Sequence, residues 1–437
     1  MTLLKTILMY TFAIITIILI IWLLYMRTKY RFWILQPVFH YYDFWWWFYN
    51  KGVIRDELPS KNKYTNTASV STLRLSDKIV EKEANLLNKS IHLIQFNYLK
   101  EKNSVYKPTK NNIMPYFEGH SQPCYWSFYR TKELLNNNKT GKVVEEDKLL
   151  GIITSRPLKV TINTNNTNKT NKTNNTMYVY YVDFLCVDKL WRKKGIAPQL
   201  IQTHEYNQSW NNKDICVSLF KREEEITGIV PLTIYQMYCF PLQYWAYKVN
   251  DHLEPMNPRI KMLTGDKQNI YYFYNLVEQL ISTSTSTSAS KTNAKWDITI
   301  MADISNIIKL VETGNLIIKM LLVANEIEAV YIFRKTCTFL HGKEIIALTA
   351  SIHNTDSREL TRMEFIEGFK HSFQSLLDGS KDGSKYGYLL VEDISDNNII
   401  INNISQYIAP IIKSQCAYFF YNFAYSPFQS GKCLIVN

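Results

Sequence analysis

The longest apolar stretch of the chain lies at its start. Residues 6–26 read TILMYTFAIITIILIIWLLYM, a run of 21 positions without a charged side chain. A helix rises about 1.5 Å per residue, so this run is about 30 Å long and matches the hydrocarbon core of a bilayer. It is longer than the apolar region of a signal peptide, and no small-residue cleavage motif follows it. The pattern predicts a membrane-spanning anchor over residues 1–26.

Charged residues on the two sides of this stretch predict its orientation. Lys5 precedes it, whereas Arg27, Lys29 and Arg31 follow it, and positive charge favours the cytoplasmic side. We therefore expect a single-pass membrane protein with its N-terminus outside and its body in the cytoplasm. The aromatic run YYDFWWWFY (41–49) is typical of a belt at the lipid headgroups, or of an apolar lip beside a binding site.

Two strand-like runs in the body flank a low-complexity segment. Residues 148–162 and 177–187 are rich in Val, Ile and Tyr, and NTNNTNKTNKTNNT lies between them. This arrangement predicts a β-hairpin with an overgrown loop. The loop contains Asn-x-Thr sequons, which would be glycosylated in a lumenal protein, but the predicted topology leaves them unmodified.

The same order of elements recurs in the second half of the chain. Strand-like runs over residues 316–355 precede apolar residues at helical spacing over 361–377, and another strand-like run begins at Tyr386. The pattern predicts an α+β protein with two similar halves, 51–250 and 251–437, each a mixed sheet with flanking helices.

Charge and cysteine content narrow the chemistry. Lys and Arg exceed Asp and Glu by 12, which favours an anionic partner such as nucleic acid, anionic lipid or a phosphorylated ligand. No nucleic-acid-binding module is recognisable, so we expect lipid and a phosphorylated ligand rather than nucleic acid. The seven cysteines form no Cys-x-x-Cys pair or Cys/His cluster, which predicts reduced thiols and no metal site.

The segment YVDFLCVDKLWRKKGIAPQLI (181–201) ends an apolar run on a basic turn and resumes at helical spacing. The first free N–H groups of a helix and its dipole favour an anion at such a point. The side chains and backbone of this turn would then bind phosphate: Arg192, Lys193, Lys194, Gly195 and Ala197, bordered by Val187 and Ile196. A solvated basic turn explains the same residues equally well.

Three motifs together resemble the N-myristoyltransferase family. The first is VDFLCVDKLWRKKGIAP (182–198), whose Arg-x-x-Gly-x-Ala is also the pyrophosphate signature of acetyltransferase-like folds. The others are YRFWILQPV (30–38) and YFFYNFAYSPFQSGKCLIVN (418–437). The resemblance implies two tandem acetyltransferase-like halves that use acyl-CoA, here myristoyl-CoA, as a co-substrate, with no permanently bound cofactor.

The resemblance also implies roles for individual residues. The backbone N–H groups of Phe184 and Leu185 would form an oxyanion hole for the thioester carbonyl. The C-terminal carboxylate, on Asn437, would receive the proton of the acceptor amine. The residues that would contact CoA in the arm 27–50 are Tyr30, Phe32 and Trp33.

Departures from the family concern the acceptor. Asp183 replaces the family's Asn and adds a negative charge where the amine should bind, and Thr227 is a second candidate contact. The family's acidic peptide-entrance loop has no equivalent here. His120 and Cys186 are further candidates, as a base and a nucleophile, although core packing explains both.

These features favour a membrane-anchored N-acyltransferase that transfers a fatty acyl group, myristoyl by resemblance, to the N-terminal glycine of a protein or peptide. Two alternatives are an acetyltransferase-like enzyme acting on another amine and a catalytically silent membrane scaffold. We expect a monomer. The Asn, Lys and Ile content and the anchor resemble virus-encoded versions of the family, which would place the protein in a viral or intracellular host membrane.

Overall fold

The computed structural model describes residues 2–29, 31–48, 51–76, 81–98, 104–136, 143–163, 175–223, 228–245, 249, 253–282, 294–379 and 385–437. The helices in these ranges are α1 (Thr2–Lys29), α2 (Phe44–Phe48), α3 (Ala84–Asn97), α4 (Lys110–Ile113), α5 (Ile196–Asn211), α6 (Ile270–Ser282), α7 (Ile304–Glu312), α8 (Arg362–Asp378) and α9 (Asn397–Tyr407). Short 3-10 turns cover Trp33–Leu35, Met114–Phe117, Lys189–Trp191, Leu242–Tyr244 and Ser430–Lys432.

The strands are β1 (Gly52–Val53), β2 (Val70–Arg74), β3 (Ser104–Tyr106), β4 (Tyr125–Asn136), β5 (Val143–Ile162), β6 (Asn175–Val187), β7 (Ser218–Glu223), β8 (Thr233–Pro241), β9 (Ile260–Thr264), β10 (Ile298–Met301), β11 (Leu316–Val323), β12 (Glu326–Leu340), β13 (Lys343–His353), β14 (Tyr386–Glu392), β15 (Ile412–Tyr421), β16 (Phe423–Ala424) and β17 (Cys433–Val436).

The hairpin predicted across the first low-complexity segment is confirmed. Strands β5 and β6 pair antiparallel from Ile162 opposite Asn175 to Gly151 opposite Val187. Nearly every side chain of β5 from residue 151 to residue 162 is buried, because both faces of the sheet are covered here. The sequons of the connecting loop lie largely in residues 164–174, outside the described residues.

One mixed sheet runs through both halves of the body. Its main path is β17-β10-β5-β6-β7-β15-β8-β14-β13-β12-β11-β9, with β2, β3 and β4 attached beside it. Strand β15 lies between β7 and β8, and β17 pairs parallel with β10, which itself pairs with β5. The last strands of the chain are therefore built into the part of the sheet formed by the first half.

Helices cover the sheet where apolar residues recur at helical spacing. The helix predicted over 361–377 is confirmed as α8, whose Thr361–Glu364 capping box closes its N-terminus. Its phenylalanines Phe369 and Phe373 stack on Phe333 of β12 at ring-centroid distances of 6.2 and 5.8 Å. This apolar face stabilises the second half of the sheet from one side.

The N-terminal helix α1 stands apart from the core. Within it, Leu4–Tyr25 is long and apolar enough to cross a bilayer, and none of this stretch is buried against the body. In the short helix α2, Trp46 and Trp47 pack on the body near Phe39, whereas its other three aromatic rings are exposed. The segment between α1 and β1 thus joins this helix to the body and leaves three aromatic rings exposed.

Candidate active site

The candidate site lies where two parallel strands part. Strands β6 and β7 pair only from Tyr180 opposite Ser218 to Val182 opposite Phe220, although β6 continues to Val187 and β7 to Glu223. A cavity of about 660 Å³ occupies this gap. Its wall combines residues 181–185 of β6 and 218–223 of β7 with residues 334–338 of β12 and Glu392 of β14. Both halves of the protein therefore contribute to one cavity.

The residues expected to form an oxyanion hole lie in the cavity wall. Ile153 pairs with Leu185 and Ser155 with Val182, so a β-bulge leaves Asp183 and Phe184 without ladder partners on β5. The Phe184 N–H donates to the hydroxyl of Thr154 at 3.1 Å. A substrate carbonyl at this position would have to displace the Thr154 hydroxyl from the Phe184 N–H or share that N–H with it.

The carboxylate of Asp183 has a buried partner. Arg156 Nε lies 3.1 and 2.9 Å from the two carboxylate oxygens, and the guanidinium sits over the rings of Tyr116 and Tyr181 at 5.2 and 5.3 Å. Burial raises the pKa of Asp183, and the adjacent guanidinium opposes that rise. The negative charge expected from the replacement of Asn by Asp is thus compensated. An arginine inside the apolar run GIITSRPLKVTI is the sequence signal that could have revealed this pair.

A second ionic cluster crosses the cavity from β7 to the second half. Glu392 accepts from Lys221 at 3.2 Å, from Arg334 at 3.4 Å and from the hydroxyl of Tyr235 at 2.7 Å. Burial opposes its charge, but the two cations lower the pKa of Glu392 below its usual value. Lys221, Arg334 and Glu392 line the cavity, and sequence analysis did not single them out.

The basic turn lies between β6 and α5 and leads directly into the first residue of α5, Ile196. Lys193 and Gly195 both adopt left-handed backbone conformations, with φ of 62° and 77°. Arg192 serves the fold, because its Nη2 donates to the carbonyl of Asn97 at 2.5 Å and its Nε to that of Val187 at 3.3 Å. Arg192, Lys193 and Lys194 are all exposed, and Lys194 Nζ lies 4.1 Å from the Trp191 ring centroid. The buried members of the predicted set, Val187 and Ile196, pack below the turn beside Ala197.

The aromatic arm reaches the same cavity. Trp33 lines it and stacks on Phe220 at 5.6 Å between ring centroids, with an interplanar angle of 16°. Phe32 packs edge-on against Trp33 at 5.1 Å. Gln36 of the same motif accepts from the hydroxyl of Tyr421 at 2.8 Å. Two of the three motifs therefore meet directly. Tyr30 lies outside the described residues.

Comparisons with known proteins agree with this arrangement. Residues 77–231 match the family model described as Myristoyl-CoA:protein N-myristoyltransferase, N-terminal domain. The structure is similar to Saccharomyces cerevisiae N-myristoyltransferase with bound MyristoylCoA, at a TM-score of 0.62 and 14% identity over 92% of this chain and 94% of that chain. The chain has the N-myristoyltransferase fold.

A second solved structure of the Saccharomyces cerevisiae enzyme with bound myristoyl-CoA gives a TM-score of 0.64 at 13% identity, over 93% of this chain and 90% of that chain. No curated protein matches this chain. The similar fold confirms the predicted architecture of two tandem acetyltransferase-like halves.

Within the N-myristoyltransferase fold, the chain end lies near the cavity but does not line it. Asn437 follows β17 and is 7% exposed. Its Nδ2 donates to the hydroxyl of Tyr418 at 3.4 Å, and the Tyr418 ring lies 6.3 Å from that of Tyr181, which is part of the cavity wall. One aromatic layer thus connects the chain end to the site. Thr227, the other proposed acceptor contact, lies outside the described residues.

The remaining sequence candidates lie in unsuitable surroundings for catalysis. His120 Nε2 lies 2.9 Å from the carbonyl oxygen of Tyr116 and the ring borders a different cavity of about 470 Å³. Burial lowers the pKa of His120 to about 4. Cys186 donates to the carbonyl of Leu93 at 3.7 Å, and burial raises the pKa of its thiol to about 12.

Among the described residues, no group of three or more His, Cys, Asp or Glu side chains is placed to hold a metal ion.

Proposed function

We propose that the protein is a membrane-anchored N-acyltransferase that moves a fatty acyl group, of the myristoyl class, from acyl-CoA to the N-terminal glycine amine of a protein or peptide. The observation that carries this proposal is the cavity where β6 and β7 part, with the bulge at Asp183 and Phe184 in its wall and the basic start of α5 beyond it. The similar yeast structures hold myristoyl-CoA, which supports acyl-CoA as the co-substrate.

The donor would extend along β6 from the basic turn into the cavity. Lys193, Lys194 and the N-terminus of α5 would bind the CoA phosphates. Trp33 would contact the CoA moiety, because its ring lines the cavity beside Phe220. The thioester would then lie beside Phe184 and Leu185, further into the cavity than the phosphates.

The backbone N–H groups of Phe184 and Leu185 would stabilise the tetrahedral intermediate. A preorganised donor of this kind contributes about 3 kcal/mol to transition-state stabilisation. The amine nitrogen forms a bond to the thioester carbonyl carbon, the carbon–sulfur bond breaks, and the thiolate of CoA leaves. No covalent enzyme intermediate is needed.

The acceptor amine must lose a proton during transfer. An N-terminal amine has a pKa of about 8, so a weak base near neutral pH is sufficient. Two carboxylates could receive the proton, that of Asp183 in the cavity wall and the chain terminus at Asn437. Asp183 is reachable because its side chain is 12% exposed although Arg156 holds it.

The anchor would hold this site at a membrane surface. Helix α1 would span the bilayer with the body on the cytoplasmic side, and the exposed rings of Phe44, Trp45 and Phe48 in α2 would contact lipid headgroups. We further propose that the protein acts as a monomer and resembles a virus-encoded version of the family.

Binding of acyl-CoA tests the proposal. The full chain in detergent micelles is heated with free CoA and with acyl-CoAs of increasing chain length, and its melting temperature is recorded. We expect stabilisation that increases with chain length and is greatest near the myristoyl chain, because binding to the folded state alone raises the melting temperature. No response to any acyl-CoA would instead indicate a silent scaffold.

A further inference from the structure

A chain of hydrogen-bonded polar side chains runs through the core beside the cavity. It starts at the Thr72 hydroxyl, 2.6 Å from Ser127 Oγ, and continues from Ser127 Oγ to His204 Nδ1 at 2.8 Å and from His204 Nε2 to Ser155 Oγ at 2.9 Å. Ser155 then donates to Gln208. We call this set, with the residues described next, the α5 polar chain, because its central members lie on α5.

The α5 polar chain ends on an acid. Gln208 Nε2 lies 3.4 Å from Ser218 Oγ, which donates to Glu205 Oε2 at 3.3 Å, and Ser209 donates to Glu205 Oε1 at 3.2 Å. Glu205 is 8% exposed. Burial raises the pKa of Glu205 to about 7, and the two serine hydroxyls are the groups that counteract it. Among the described residues, no lysine or arginine stabilises the negative charge of the Glu205 carboxylate.

Three members of the α5 polar chain border the candidate active site. His204, Glu205 and Ser218 line the cavity together with Ile201, Ile229 and Phe220. Ser218 lies opposite Tyr180, two positions before the last β6–β7 pair at Val182 and Phe220. These polar groups therefore lie at the closed end of the gap between the strands.

The direction of the donor places its acyl chain at that closed end. In the proposed function the basic turn at 193–195 binds the CoA phosphates and residues 184–185 bind the thioester, so the chain beyond the thioester continues towards Tyr180 and Ser218. A plain alkyl chain would meet apolar side chains and a carboxyl group there. A carboxylate can accept about four hydrogen bonds, and Glu205 receives two from serines, so it has capacity for a donor on the ligand.

We propose that the cavity selects an acyl chain that carries a hydroxyl group in its distal part, and that Glu205 and Ser218 bind this hydroxyl. The inference rests on the proposed function, since it assigns the cavity to the acyl chain of an acyl-CoA. A buried carboxyl group without a cation partner inside a ligand cavity is a common mark of a binding site. Filling its free acceptor position with a substrate hydroxyl gives discrimination against the chain that lacks one.

The test compares donors on the unaltered full chain in detergent micelles. Calorimetric titration with myristoyl-CoA and with hydroxymyristoyl-CoAs, in which the hydroxyl is moved stepwise along the distal half, gives a dissociation constant for each. We expect at least one hydroxylated donor to bind about fivefold or more tightly than myristoyl-CoA, the effect of one good hydrogen bond. The double variant Glu205→Leu/Ser218→Ala should lose this preference, whereas Glu205→Gln, which keeps an acceptor oxygen, should retain it.

Equal or tighter binding of myristoyl-CoA than of every hydroxylated donor would overturn the inference and leave the proposed function intact. Survival of the preference in the double variant would overturn the role of Glu205 and Ser218. Failure of all acyl-CoAs to bind would overturn the proposed function itself. The comparison of donors on the unaltered protein decides the question even if the double variant does not fold.

Discussion

Arg156 and Asp183 form a buried ion pair in the wall of the cavity, with Nε 2.9 Å from one carboxylate oxygen and the Arg156 side chain 1% exposed. The charges are 27 residues apart in the chain and are brought together by the β5–β6 hairpin at its bulge. Burial opposes the charge on Arg156, but Asp183 outweighs it and raises the pKa of the guanidinium. Each partner therefore needs the other to remain charged in the core.

The ion pair predicts an asymmetric response to substitution. Asp183→Asn, which restores the residue of the resembling family, leaves a buried guanidinium without its counter-charge and should lower the free energy of unfolding by about 3–5 kcal/mol. Arg156→Leu combined with Asp183→Asn removes both charges and should destabilise less. Urea unfolding of both variants in detergent checks this order. A double variant less stable than Asp183→Asn would contradict the compensation of one charge by the other.

The basic turn predicts a separation of roles among its three cations. Lys193→Ala/Lys194→Ala should weaken CoA binding about tenfold and change the free energy of unfolding by less than about 0.5 kcal/mol, since both side chains are exposed. Arg192→Ala should instead lower that free energy by about 2 kcal/mol, because two hydrogen bonds to carbonyls of α3 and β6 are lost. Calorimetry with CoA and urea unfolding separate the two effects. Unchanged CoA affinity in the lysine variant would remove the turn from the binding site.

The position of Asn437 predicts that the chain end is needed as a free carboxylate. Adding several residues after Asn437 moves the carboxylate away from the buried position of this residue and should reduce turnover about a hundredfold, the usual contribution of a general base, while acyl-CoA binding is kept. Asn437→Ala is the matched control, because it removes the side-chain contact to Tyr418 and keeps the terminal carboxylate. Full turnover by the extended protein would assign the proton to Asp183 instead.

His204 predicts a loss of stability in acid. Burial lowers the pKa of His204 to about 3, whereas the unfolded chain binds the same proton near pH 6.5. The unfolded state therefore gains the proton first, and stability falls as the pH drops from about 6.5 towards 3. At pH 5 this single group should remove ~2 kcal/mol of unfolding free energy relative to pH 8. His204→Gln cannot take up the proton, so its urea midpoint should fall less between pH 8 and pH 5 than that of the unaltered protein.

Local patterns in the sequence were sufficient to predict some elements. The β5–β6 hairpin, the start of α5 after the basic turn and the helix α8 follow from periodicity and turn residues within one short segment. The insertion of β15 between β7 and β8, and the parallel pairing of β17 with β10, join segments far apart in the chain. Periodicity carries no information on such long-range pairing, so the sequence could not predict it.

The candidate site likewise contains some residues that the sequence could identify and others that it could not. Phe184, Leu185 and the cations after them lie in one continuous segment, so the resemblance of that segment to a known family could identify them. Glu392 and Lys221 are 171 residues apart, and their contact exists only because β14, β8, β15 and β7 lie side by side. The role of either residue in such a buried pair can be recognised only once the order of the strands in the sheet is known.

Transfer of an acyl group to an N-terminal amine is the reaction that distinguishes the proposed enzyme from its alternatives. The full chain in detergent micelles is incubated with fatty acyl-CoAs, among them myristoyl-CoA and its hydroxylated forms, and a peptide that begins with glycine. Fragmentation in the mass spectrometer then locates any added mass. We predict that the acyl group appears on the α-amine of the glycine and not on a peptide whose N-terminus is acetylated and that offers a lysine instead. Acylation of the lysine, or no acylation of either peptide by any donor that binds, would contradict it.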